Sequence, residues 1–271
     1  MCELATEGEQ RSGNVFALLV VGCGILGMLI GSFLNVVIYR VPRHESIVSP
    51  PSACPNCGEK LLLRDNIPVI SWLLLRGKCR FCQAPIARRY PLVELLTGGL
   101  FVFLAARMGF NWALPAFLAL YAGLIALSWI DVENLVLPRK LVYVHLACVG
   151  VLLTIAAAAS HEWRLLQVGI LCALGWSLLF FILNLLNPAW LGFGDVRFSL
   201  VLGLGLGWLG FKFVILGFFA ANLIGLVTAL ALIAVGKIDR SRRIPYGVFL
   251  SLGAIFSIEF GSPLLVAMHL R

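Results

Sequence analysis

Apolar residues are grouped into eight runs, approximately 15–38, 91–107, 112–130, 141–159, 165–186, 197–210, 212–235 and 246–268. A helix needs about 20 apolar residues to cross a bilayer core of about 30 Å, and most of these runs have that length. The sixth is short and rich in glycine. A polar N-terminal segment, 1–14, precedes the first run, and the only long polar stretch between runs is 39–90. The pattern predicts an all-α polytopic membrane protein of about eight transmembrane helices. A small extramembrane domain at 39–90 separates the first span from the spans of 91–271.

Composition supports this. Of 271 residues, 61% are hydrophobic and 13% are charged, about half the roughly 25% usual in soluble domains. Too few charges remain to cover the surface of a water-soluble chain of this size. The formal net charge of +8 would suggest nucleic acid in a soluble protein, but here it serves to orient the spans, and no nucleic-acid partner is expected. Of the 21 Lys and Arg, 16 fall in 39–90, 131–140, 187–197 and 236–245, and five in the opposite connections and termini. Since positive loops stay inside, 39–90 is expected in the cytoplasm and both termini outside. Trp112, Trp163, Trp190 and Trp208 fall near span ends, as interfacial aromatics do. The N-terminus carries three Glu before any apolar run, so no cleaved signal is expected.

Two pairs, Cys54-Pro-Asn-Cys57 and Cys79-Arg-Phe-Cys82, stand in the polar stretch. Each C-x-x-C can place two thiolates on one metal, and together they supply the four-thiolate tetrahedron that suits Zn²⁺. A closed four-cysteine site keeps no open position, so one zinc ion is expected in a structural role, stapling a segment with little apolar core.

Among 13 acidic residues, only Glu94, Asp131, Asp195 and Glu259 lie in or at the edge of an apolar run, where a carboxylate is costly and is a functional candidate by default. Asp131 ends the third span, and Asp195, in Gly192-Phe-Gly194-Asp195-Val-Arg197, opens the sixth. Both fall at the cytoplasmic edge of the membrane in the topology above. If they meet, they share a proton, so that one acts as general base on water while the other donates to a carbonyl oxygen. That is aspartic-protease chemistry. Pro188, Gly192 and Gly194 are expected to interrupt helix between Asn187 and Val196, and such backbone at membrane depth belongs to a buried or water-lined site. The alternative for each Asp is a helix cap, with Asp131 capping the next helix. A transporter with a carboxylate proton or cation relay is a second reading, although no internal repeat is evident. The string Gly205-Leu-Gly207-Trp-Leu-Gly210 has the G-x-G-x-x-G form, but without a preceding strand it is read as close helix packing.

These residues resemble the bacterial type IV prepilin peptidases, intramembrane aspartic proteases of the Gly-x-Gly-Asp kind. The resemblance rests on Gly31-Ser-Phe-Leu-Asn35-Val-Val-Ile-Tyr-Arg40-Val-Pro42, the four cysteines and Arg89-Tyr-Pro-Leu-Val-Glu94. It continues in Asp131 with Leu137-Pro138, in Gly192-Phe-Gly-Asp195-Val-Arg197, and in Pro245-Tyr-Gly-Val-Phe-Leu250. It implies that Asp131 and Asp195 are catalytic, with Gly192, Gly194 and Arg197 supporting them. It also implies that 91–271 forms the protease domain and that prepilins and pseudopilins are the substrates. Their short basic leader would be removed at the cytoplasmic face of the bacterial inner membrane, after a glycine that precedes an apolar helix. Members with the four-Cys loop also methylate the new N-terminal residue with S-adenosylmethionine, so both activities are expected; the alternative is a peptidase without the methyltransferase. Asn35, Arg40, Arg89 and Glu94 are the candidates for holding the methyl donor or the new amine; Arg40 and Arg89 as membrane-level anchors and Asn35 as interhelical glue is the alternative. The basic leader would need acidic groups such as Glu45, Glu59, Asp65 or Glu133. Arg139 and Arg197 stand where the family usually has Asp and Lys, and Tyr246 and Val248 where it usually has Phe and Pro.

Overall fold

The computed structural model describes residues 2–188, 191–236 and 244–267, with side chains from residue 13 onward. Trp190 and the basic residues at 237–243 lie outside the described residues. All eight apolar runs are helical. In chain order the helices are α1 (Cys2–Arg40), the short α2 (Ile70–Leu74), α3 (Arg89–Met108), α4 (Leu114–Asn134), α5 (Arg139–Ser160), α6 (Trp163–Leu186), α7 (Phe193–Leu209), α8 (Phe211–Ala234) and α9 (Tyr246–Ala267). Seven of the eight long ones are long and apolar enough to cross a membrane. The exception is α7, whose 17 residues span about 25 Å. No strand occurs among the described residues beyond two isolated bridges.

The chain divides into two compact units, Met1–Leu114 and Pro115–Arg271. In the first, α1 and α3 pack through small residues. A Cβ on Gly27 would lie 2.9 Å from the Gly98 Cα, and one on Gly31 would lie 2.7 Å from the Glu94 Cα. With lipid as apolar as the side chains themselves, such close backbone approach is what holds membrane helices together.

The second unit is built around α7. Its hydrophobic residues surround the whole helix, and most are buried, the pattern of a helix enclosed by others rather than facing lipid. This explains why a short helix suffices. Gly203 and Gly207 bring it onto α6: a Cβ on Gly203 would lie 2.6 Å from the Ala173 Cα, and one on Gly207 would lie 2.8 Å from the Gly169 Cα. Gly207 of the G-x-G-x-x-G string is thus a packing residue, as expected. The same device pairs α8 with α9, where a Cβ on Gly253 would lie 2.5 Å from the Ala221 amide nitrogen. Between α4 and α5, the buried His145 ring lies against Gly123. Trp112 and Trp163 are exposed, but Trp208 is buried within this unit rather than at an interface.

Candidate active site and metal centre

Asp131 lies inside α4, three residues before its end. It does not cap α5, whose N-cap is Pro138 without a side-chain cap. Its carboxylate instead caps α9: Oδ2 accepts the Gly247 amide at 2.8 Å, and the Val248 amide also donates to it. These are two of the four unsatisfied donors at the start of that helix. Gly247 is required by space, since a Cβ there would lie 2.9 Å from Asp131 Oδ2.

Asp195 is the third residue of α7, because helix resumes at Phe193 and not after Val196. Among the described residues the interruption covers Asn187, Pro188, Leu191 and Gly192, and Gly194 is helical. The Asp195 carboxylate faces the Gly192 amide, in the manner of the acidic half of a capping box, while the Asp195 amide itself donates to the Gly192 carbonyl at 3.0 Å. A Cβ on Gly192 would lie 3.1 Å from Asp195 Oδ2. The helix start is tethered to α6 by Asn184 Nδ2, which donates to the Leu191 carbonyl at 2.6 Å, and by Ser177 Oγ, which donates to the Val196 carbonyl at 3.0 Å. Arg197 stacks its guanidinium 4.4 Å over the Phe193 ring.

Asp131 and Asp195, from two different helices, are both buried and close enough for the charge of one to act on the other. Tyr246 is also within electrostatic reach of Asp195, and its hydroxyl donates to Asn222 Oδ1 at 3.2 Å. Leu137 lies between the two helix starts: a Cβ on Gly194 would lie 3.1 Å from Leu137 Cβ, and one on Gly247 would lie 3.2 Å from both Leu137 Cδ atoms. Neither Gly247 nor Leu137 was named as a site residue from sequence. Gly247 had a signal, a glycine next to Tyr246 at the start of the last apolar run; Leu137 had only its place in the Leu137-Pro138 pair. Glu259, also buried, accepts the Tyr121 hydroxyl at 2.5 Å, which supplies the polar partner within the bundle that its burial requires.

In the first unit the two C-x-x-C segments form matching knuckles. Each is closed by one bridge, Ala53 with Lys60 and Lys78 with Pro85. The residue after each second cysteine is left-handed, Gly58 at φ +73 and Gln83 at φ +59. The four Sγ atoms all lie within 4.8 Å of one another, with Cys54 and Cys82 at 3.8 Å. A tetrahedron with Zn–S of about 2.3 Å has an edge of about 3.8 Å, so the donor set fits zinc. The Ala84 amide and then the Asn56 side chain hold the Cys82 thiol down to about 6. The Glu59 amide pulls the Cys57 thiol the same way, but desolvation and the three neighbouring sulfurs push it up to about 11. Thiolates this close repel one another, so they do not all lose their protons together unless a cation takes the protons' place.

Arg80, inside the second knuckle, forks onto the buried Asp65, with Nη2 to Oδ1 at 2.6 Å and Nε to Oδ2 at 2.9 Å. Asp65 is therefore not available to a basic leader. Glu94 accepts the Val69 amide at 2.7 Å and a bond from Ser32. Val69 sits at φ +61, a strained backbone for a β-branched residue, and Glu94 helps to hold it there. Asn35 Nδ2 donates to the Tyr90 carbonyl at 3.1 Å, joining α1 to α3, while its buried Oδ1 has no partner among the described residues. Arg40 donates to the carbonyls of Ser46 and Pro50 at 2.9 and 2.8 Å. Arg89 lies 5.1 Å over the Tyr90 ring.

Residues 118–230 match the type IV leader peptidase family, and residues 25–108 match the bacterial peptidase A24 N-terminal domain. The chain belongs to the type IV leader peptidase family. A prepilin leader peptidase/N-methyltransferase of Stutzerimonas stutzeri is 32% identical, with 94% of this chain and 95% of that protein covered. A protein of the same name from Neisseria gonorrhoeae is 34% identical over 84% and 86%, and one from Pseudomonas aeruginosa is 31% identical over 88% and 89%. No solved structure matches. With its seven long apolar helices, the chain is a multi-pass inner-membrane enzyme, a peptidase with methyltransferase activity.

Proposed function

We infer that the protein cleaves the basic leader from prepilins and pseudopilins and methylates the new N-terminal residue. The supporting observation is the pair of buried carboxylates, Asp131 from α4 and Asp195 from α7, each held by amides at a helix start. In this reading the pair holds one proton. The ionised member takes a proton from water as the oxygen attacks the scissile carbonyl, while the other donates to the carbonyl oxygen. The tetrahedral intermediate collapses as a proton passes to the leaving amine. Membership of a peptidase family sets the transporter aside.

Cys54, Cys57, Cys79 and Cys82 would hold one structural Zn²⁺, which staples the segment between α1 and α3. S-adenosylmethionine would supply the methyl group. Asn35, Arg40, Arg89 and Glu94 are the proposed contacts for the donor or the new amine, and the buried, unpartnered Oδ1 of Asn35 is the acceptor in that set. The charge distribution supports a cytoplasmic 39–90 with both termini outside. Gly192, Gly194 and Arg197 would support the dyad by space and stacking, and lipid surrounds the spans.

The test is cleavage of a prepilin by Asp131→Asn and Asp195→Asn, each prepared separately, with mass spectrometry of the product N-terminus. Loss of cleavage in both variants and one added methyl group on the wild-type product are expected. Near wild-type cleavage by either variant refutes the dyad, and an unmethylated product refutes the second activity.

A further inference from the structure

We propose that the Tyr246 hydroxyl, bonded to Asn222, is a positioning group for cleavage: it fixes the first turn of α9, whose amides hold Asp131. This role rests on the peptidase reading above and is exerted through Asp131 rather than on the substrate. Between Lys212 and Thr228, Asn222 is the only polar side chain on α8, and an amide in such an apolar stretch is costly unless it is used. Its Nδ2 donates to the Phe218 carbonyl of its own helix at 2.7 Å. That bond fixes which way the amide faces and leaves Oδ1 to α9, where it accepts the Tyr246 hydroxyl at 3.2 Å.

Tyr246 is the first residue of α9. Its ring lies 6.3 Å from the ring of the buried Phe180 on α6, and its hydroxyl is tied to α8. The next two residues serve α4: the Gly247 amide donates to Asp131 Oδ2 at 2.8 Å, and the Val248 amide also donates to that carboxylate. One turn of helix thus joins Asp131 to two other helices. The first amides of a helix have no partner within it, so their aim depends on what anchors the turn. Ring packing tolerates sliding, whereas a hydrogen bond is directional. The Tyr246–Asn222 bond therefore sets where the two amides, and with them the Asp131 carboxylate, are held. A net worth typical of one neutral hydrogen bond corresponds to about two- to tenfold in rate.

The experiment uses the full-length enzyme in detergent with a prepilin substrate, and measures kcat and KM separately. Tyr246→Phe keeps the ring and removes only the oxygen. It is expected to lower kcat by about two- to tenfold at unchanged KM, as is Asn222→Ala. The double variant Tyr246→Phe/Asn222→Ala falls no further than the worse single one, because both remove the same bond. Adding Tyr246→Phe to Gly247→Ala also costs nothing more, since the amide it positions is already displaced. Wild-type kcat in Tyr246→Phe overturns the proposal, as does a raised KM at unchanged kcat, which would make Tyr246 a substrate contact. Losses that multiply in either double variant overturn it too. Should Asn222→Ala not fold, Tyr246→Phe with and without Gly247→Ala decides alone. A wild-type enzyme that leaves the prepilin uncut would instead refute the peptidase reading, and this inference with it.

Discussion

Replacing Gly247 with alanine separates the stability of α9 from the geometry of Asp131. Gly247 is in the first turn of that helix, and alanine there gains up to about 1 kcal/mol of helix propensity. The added methyl, however, would lie 2.9 Å from Asp131 Oδ2 and 3.2 Å from the two Leu137 Cδ atoms, so the carboxylate must move off the 2.8 Å bond to the Gly247 amide. A hydrogen bond to a charged acceptor contributes about 1.5–3 kcal/mol, which corresponds to roughly tenfold to 150-fold in rate if the bond is needed in the transition state. Prepilin cleavage by the purified variant is therefore expected to fall by that factor in kcat/KM, while stability falls by a net of about 0.5–2 kcal/mol, the lost bond less the gained propensity. Gly175→Ala in α6 is the control, because nothing lies within 4 Å of its Cβ position. It should gain the propensity and leave cleavage unchanged. Wild-type kcat/KM in Gly247→Ala would refute the claim that the α9 amides hold Asp131 for catalysis.

Three further outcomes follow from the geometry. Metal analysis should find one zinc per chain, and a strong chelator should release it and make Cys54, Cys57, Cys79 and Cys82 reactive to a thiol reagent; a chain without zinc that keeps the segment protected would contradict the staple. Arg80 holds the Asp65 carboxyl below the usual carboxylate range, first by its hydrogen bonds. A depressed folded value stabilises above the unfolded value of about 4 and is lost as pH falls through the folded value, so hydrogen exchange at 61–66 should rise only below about pH 4. In Arg80→Ala it should already be raised at neutral pH. Gly203→Val should destabilise the second unit by about 1–3 kcal/mol, because its Cβ would lie 2.6 Å from the Ala173 Cα, which is backbone and cannot swing aside.

The number and order of the long helices were legible because an apolar run of about 20 residues has few alternatives. Their ends were legible to within a few residues, and the largest miss is α1, which continues back to Cys2 through the polar start of the chain. The enclosed position of α7 was not legible: apolar residues all round a helix read alike whether lipid or protein covers them. The convergence of four sulfurs follows from two C-x-x-C spacings. Long-range pairings left no such trace. Glu94 with the Val69 amide, Asp65 with Arg80, and Tyr121 with Glu259 each join residues that no local pattern connects. Leu137 was hidden for another reason, since among Leu135, Val136 and Leu137 in the four-residue connection before α5 nothing in sequence says which one turns inward.

For Asp131 the two sequence readings, helix cap and catalytic group, are not alternatives. The carboxylate does cap a helix, but α9, 116 residues away, rather than the next one. Asparagine caps about as well as aspartate, whereas alanine loses about 0.5–2 kcal/mol at such a position. A side-chain amide oxygen in Asp131→Asn can still accept the Gly247 amide, yet it cannot serve as the ionised member of a proton-sharing pair. Asp131→Asn should therefore keep near wild-type stability while losing cleavage, and Asp131→Ala should lose both. The stability gap between the two variants measures the cap, and the activity they share in losing measures the dyad. Equal stability in the two would mean that the α9 amides gain nothing from the Asp131 side chain, and that its position is set by α4 alone.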